Sequence, residues 1–216
     1  MVTNTQQLFS KIFLWLCLGL LITFGVGYLV QNNEPILNNI FSGGNYIFIW
    51  IAEIVIAIVL SLRIHKMNPV VATILYLAYT ALTGLTFSTI FIVYKLTSII
   101  YIFGITAIVL FIFGIFGYKT KLDLTKLSTI LMMGLLAIIL LSVVSIFVES
   151  VALNLGITII SLIIFMIYIA YDIQVIKRNL YYSDNIESLA IYGAFQLYLD
   201  FINIFLDLLQ LFGKEK

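Results

Sequence analysis

Charged residues are scarce in this chain. Of 216 residues only 10% are Asp, Glu, Lys or Arg, while 63% are hydrophobic. A typical soluble domain is about 25% charged and roughly half apolar. A chain of this size keeps a large fraction of its residues at the surface, so no water-soluble globule can hide this much apolar surface. The solvent must be lipid. The formal net charge is +1, which gives no electrostatic case for nucleic acid as a partner. Cysteine occurs once, as Cys17. That excludes an intramolecular disulfide and a cysteine-cluster metal site, and the thiol reads as a small apolar packing residue of the first span. Histidine occurs once, as His65, with no ligand partner at helical spacing, and is expected to be solvated in a loop. The only prolines are Pro35 and Pro69.

What fills the chain is long apolar runs. A bilayer core of about 30 Å needs roughly 20 apolar residues per helix. Seven runs meet this: Leu8–Val30, Tyr46–Ile64, Val70–Tyr94, Ser98–Gly117, Leu127–Val148, Val151–Val175 and Gly193–Phe212. Between them lie Gln31 to Glu34 with Pro35, Asn68-Pro69, Lys119 to Lys126, and Ser183 to Ser188. Helices are the default, because an open sheet cannot satisfy its backbone in lipid. The first run is too long for the apolar region of a signal peptide, about 7–15 residues, and no small-x-small cleavage site follows it. It is expected to stay as a transmembrane helix. No linker, low-complexity tract or repeat is visible. The expectation is one seven-helix transmembrane domain over residues 1–216.

Lysine and arginine set the orientation. With a cytoplasmic N-terminus, the inside carries Lys11, Arg63, Lys66, Lys119, Lys121, Lys126, Lys177 and Arg178, and the outside Lys95, Lys214 and Lys216. Eight of the 11 basic residues then lie inside, which favours that orientation.

An ionisable residue at membrane depth costs several kcal/mol by most scales and is a functional candidate by default. Five qualify: Glu53, Arg63, Asp172, Asp200 and Asp207. In span 7, at about 100° per residue, Gly193, Gln196, Asp200, Asn203, Asp207 and Gln210 share one stripe. Such a stripe cannot face lipid, so this helix belongs inside the bundle with the stripe on a cavity or on other polar groups. Span 6 has a matching face in Thr158, Ser161, Phe165, Tyr168 and Asp172. Spans 6 and 7 are joined by a short loop and run antiparallel, which lets Asp172 and Asp200 meet. Two carboxylates in contact in a low dielectric cannot easily both ionise, and they titrate as a unit. Such a pair holds a proton at mildly acidic pH; deprotonated, it offers hard oxygen ligands to calcium. Proton and calcium then compete for the same oxygens. The plainer alternative is that each Asp only hydrogen-bonds a neighbouring helix.

Glu53 and Asp207 lie at comparable depth and would form an outer acidic tier. Arg63 closes span 2 and either reaches the aspartate level or snorkels as an anchor. The face Thr73, Tyr76, Thr80, Thr83 and Gly84 of span 3 reads as a packing seam or a pore lining.

The segments Tyr171-Asp172-Ile173-Gln174-Val175-Ile176 and Gln196-Leu197-Tyr198-Leu199-Asp200-Phe201-Ile202-Asn203-Ile204-Phe205 resemble the C-terminal signature of the Bax inhibitor-1 family, also called the transmembrane Bax inhibitor motif family. Thr83-Gly84-Leu85-Thr86-Phe87-Ser88 and Glu53 also resemble it. The resemblance covers nearly the whole chain and looks like the compact bacterial form. It implies an all-α integral membrane protein of seven transmembrane helices with the last helix central in the bundle. It further implies a pH-sensitive calcium leak channel of the bacterial inner membrane, with Asp172 and Asp200 as sensor and gate and as the expected calcium ligands. Arg63 is implied as latch and Glu53 as a pore-region carboxylate. Asp207 and Asn203 are assigned to the ion path from the polar stripe alone. Calcium is expected as a transported or weakly bound species, with no resident cofactor.

The alternative is a non-conducting regulator whose partner is a membrane protease or another membrane protein. An intramembrane aspartyl protease does not fit. Leu197-Tyr198-Leu199-Asp200 stands where a Gly-x-Gly-Asp pattern would be required, and no Pro-Ala-Leu motif is present. A retinal protein is excluded because span 7 holds no lysine for a Schiff base. No enzymatic activity is expected.

Overall fold

Every span foreseen in the sequence is a helix in the computed structural model, which describes residues 2–64, 67–181 and 185–216, with side chains from Thr5 onward. The helices are α1 (Val2–Gln31), α2 (Glu34–Phe41), α3 (Asn45–Arg63), α4 (Pro69–Val93), α5 (Leu96–Lys119), α6 (Ser128–Val148), α7 (Val151–Asn179) and α8 (Ile186–Phe212). A 3-10 turn, Leu124–Leu127, precedes α6. Seven of the helices, all but α2, are long and apolar enough to cross a membrane. His65, Lys66 and Ser183, which carry part of the loop and charge expectations above, lie outside the described residues.

The helix starts follow from capping chemistry. Asn68 accepts from the amide of Val70 at 2.9 Å, with Pro69 opening α4 where no amide is needed. Ser150 accepts from Leu153 at the start of α7. Asn185 accepts from the amides of Glu187 and Ser188 at 3.0 and 3.2 Å. This cap moves the start of the last helix to Ile186, seven residues before the expected Gly193. Glu187 and Ser188, expected in a loop, instead occupy its first turn, where an acidic side chain suits the helix dipole. Short α2, which has no buried residue, replaces the expected plain loop. Asn33 caps it and Pro35 sits in its first turn. Cys17, expected as a packing residue, is exposed.

The chain forms two compact units. The first comprises Met1–Leu96, Tyr182–Tyr198 and Glu215–Lys216. Its centre is the seam between α1 and α4. There Gly84 lies against Val26 and the carbonyl of Thr23, and Gly27 lies close to the carbonyl of Gly84. Tyr76 donates to the Trp15 carbonyl at 2.9 Å, and Phe24 meets Phe87 edge-on at 5.7 Å. Tyr76, Thr80, Thr83 and Gly84 are all buried, so this face of α4 is a packing seam of small and polar residues. The second unit comprises Thr97–Tyr181 and Leu199–Lys214. In it, Gly117 of α5 lies directly on the backbone of Ala170 in α7, and Phe103 packs on Phe201 with ring centroids 5.1 Å apart.

Among the seven long helices α8 is the most enclosed. In its most apolar stretch 72% of residues are buried, against 6% in α3. Helices of the opposite kind, such as α6, expose large apolar side chains including Phe147 and Ile146, as lipid-facing helices do.

The loop before α6 is held by Gln174. Its amide nitrogen donates to the Leu122 carbonyl at 2.8 Å, and its amide oxygen accepts from the Leu124 amide at 2.7 Å. Beside it, the hydroxyl of Thr125 holds the Asp123 carboxyl below its usual range, with the Thr125 amide assisting. Gln174→Ala leaves two backbone groups without their partner and is expected to cost about 1–2 kcal/mol. Trypsin should then cut faster after Lys121 or Lys126. An unchanged digestion rate would mean that the clamp does not order the loop.

Candidate functional site

The pair Asp172 and Asp200 lies in the second unit. Asp172 is seven residues from the end of α7, among buried Ile169, Ile173 and Ile176. Asp200 is fourteen residues into α8, about 21 Å along its axis at 1.5 Å per residue. It therefore stands near the midpoint of that helix, deeper than the two turns expected from a start at Gly193. The two side chains nevertheless meet, because α7 continues to Asn179 beyond the expected end at Val175.

Asp172 is 4% exposed and Asp200 3%, and the two carboxyl groups lie within electrostatic reach of each other. The second oxygen of Asp200, Oδ2, has no hydrogen-bond partner among the described residues. The tyrosines Tyr168 and Tyr171 lie within electrostatic reach of Asp172, and Tyr168 also of Asp200. Two carboxyl groups this close and this buried have the chemistry to share a proton. Among the described residues, no group of three or more His, Cys, Asp and Glu side chains converges as a metal site.

The lower part of the polar stripe on α8 lines a cleft within the same unit. Asn203, Asp207 and Gln210 from α8 face Thr158 and Ser161 from α7 and Ser142 from α6. Thr158 donates to the Gln210 amide oxygen at 3.0 Å, and Ser161 and Asp207 line the cleft together. The stripe is the less enclosed side of the helix here: Gln210 is exposed, whereas apolar Ile204, Phe205 and Leu209 are buried.

The remaining two residues lie in the first unit. Glu53 is half-buried on α3, with the Thr86 hydroxyl of α4 at 3.5 Å from its carboxyl. Arg63 is exposed at the end of α3; its role as latch is implied by the family resemblance alone. Also in this unit, Tyr198 and Thr23 share a 2.6 Å hydrogen bond. Thr23 passes its own proton to the Thr80 carbonyl at 2.8 Å, so Tyr198 is the donor. Sequence reading missed this tie and the Gln174 clamp. Tyr198 and Gln174 stand in the two C-terminal segments, but nothing in a linear pattern names a distant hydroxyl or loop backbone group as the partner.

Seven membrane-length helices with a buried aspartate pair on the last two define a helical integral membrane protein with an ionisable core. The family model for "Inhibitor of apoptosis-promoting Bax1" matches residues 5–216, and the chain belongs to the Bax inhibitor-1 family. It is 37% identical over 217 residues to the inner membrane protein YbhL of Escherichia coli K12, covering 98% of this chain and 93% of that one. An uncharacterized protein of Borreliella burgdorferi is 37% identical over 216 residues, with coverage of 98% and 93%. One of Rickettsia prowazekii is 35% identical over 209 residues, with coverage of 95% and 89%.

Proposed function

We propose that this protein is a pH-sensitive calcium leak channel gated by protonation of the Asp172/Asp200 pair. What carries the proposal is the burial of two neighbouring carboxyl groups on the two last helices. Together they bind one proton; losing it places two like charges in contact in a low dielectric, which drives the pair apart or recruits a cation. Calcium and proton are thus competing ligands of one site. Two carboxylates fall short of the six to eight oxygens, about, that a tight calcium site supplies, which suits a passing ion. The gate is a two-state element biased by protonation. The proposal involves no bond-breaking chemistry and no resident cofactor; its partners are the bilayer and calcium.

By likeness to YbhL, whose name places that protein in the inner membrane, a bacterial inner membrane is the proposed location. The eight-to-three distribution of basic residues supports a cytoplasmic N-terminus.

Calcium entry into proteoliposomes loaded with a calcium dye tests this, measured from about pH 5.5 to 8.5 because coupled carboxyls respond to pH as a pair. Flux above that of empty vesicles, varying with pH, is the expected result. No flux at any pH would sink the channel and leave a non-conducting regulator.

A further inference from the structure

The cleft of α6, α7 and α8 has features that proton sensing by the aspartate pair does not use. It encloses about 450 Å³, a volume that accommodates a small organic molecule. Its outer walls are apolar and open to the outside of the unit: Ile139, Val143 and Ile146 of α6 are all half-exposed or more. In a membrane that mouth faces acyl chains. At its inner end sits one carboxyl group, Asp207, whose Oδ2 atom is buried and has no hydrogen-bond partner among the described residues. Ser161, Thr158, Asn203 and Gln210 supply neutral polar atoms around it. No Lys, Arg or His lines the cleft.

We propose that this cleft binds a lipophilic monoamine from the bilayer, its ammonium on Asp207 and its apolar body between α6 and α8. A carboxylate at membrane depth with one buried oxygen unpaired is costly unless a cation pairs with it. The charge balance selects the ligand. One carboxylate neutralises one ammonium, whereas it leaves a divalent cation with one positive charge unbalanced. A zwitterionic lipid head would bring a phosphate with no basic side chain to receive it. An aliphatic amine stays protonated at neutral pH, since its pKa is near that of lysine, about 10.4, and its three N–H donors match the carboxylate and the surrounding amide and hydroxyl oxygens. The site is separate from the Asp172/Asp200 pair and does not rest on calcium conduction.

The test is thermal unfolding of the purified chain in neutral detergent at about pH 7.5, where the amine is cationic. Dodecylamine should raise the unfolding temperature saturably, and uncharged dodecanol and phosphatidylethanolamine should not. Asp207→Asn removes the charge and should raise the half-saturating dodecylamine concentration about tenfold or more. Ser142→Phe fills the cleft, leaves the carboxylate in place, and should do the same; it decides the matter if Asp207→Asn fails to fold. Equal stabilisation by dodecanol or phosphatidylethanolamine overturns the proposal. So does an Asp207-dependent shift with calcium alone, or a dodecylamine response that survives in both variants.

Discussion

Gly117→Ala is expected to destabilise the protein by about 3 kcal/mol or more, the upper range for overpacking. A methyl group built on Gly117 falls 2.6 Å from the Cα of Ala170 and closer still to its carbonyl oxygen. Both are backbone atoms, so no side chain can turn away, and α5 must move off α7. The displacement reaches the aspartate pair, because Ala170 is two residues from Asp172 on α7. The control lies on the same helix. Gly104 and Gly114 have nothing within 4 Å of the same added methyl, so Gly104→Ala and Gly114→Ala should be neutral or stabilising by about 1 kcal/mol through helix propensity. Thermal unfolding in detergent separates the three. If Gly117→Ala unfolds at the temperature of Gly104→Ala, the close approach of α5 and α7 is wrong.

The second large effect concerns the pair itself. One titrating proton can change a two-state equilibrium by up to about tenfold per pH unit. Asp200→Asn keeps size and hydrogen-bonding capacity but removes the titration. Asparagine donates to Asp172 without needing a shared proton, so calcium flux in Asp200→Asn should vary by less than about twofold across a pH unit. Asp172→Asn should behave alike, because the proton belongs to the pair and not to either residue. Full retention of the parent's pH profile in either variant would remove that carboxyl group from the sensor. Proteoliposome flux at matched protein density, confirmed by gel, is the measurement.

Hydropathy alone sufficed for seven spans, since each break carries a polar residue or a proline that cannot continue an apolar run. The aspartate pair was legible because a 3.6-residue repeat and antiparallel neighbours fix which side chains meet. It survived a wrong start for α8 because α7 also runs past its expected end. That start was misplaced for a definite reason: Glu187 and Ser188 look like loop residues until the Asn185 cap is seen. Cys17 shows a different limit. In lipid, a face that packs on protein and a face that meets acyl chains are equally apolar, so α1 gave no linear signal of which side is exposed. The unpaired Oδ2 of Asp207 had a partial signal in the stripe. The cleft beside it did not, because its walls come from three helices and two of them contribute only ordinary apolar and hydroxyl residues.

The account stands or falls on Asp172 and Asp200 acting as one titrating unit. The direct measurement is a double-mutant cycle on calcium flux, with the parent, Asp172→Asn, Asp200→Asn and the double variant followed across pH in proteoliposomes. The account predicts that each single substitution flattens the profile and that the second adds nothing. Two independent partial losses that sum in the double variant would contradict it.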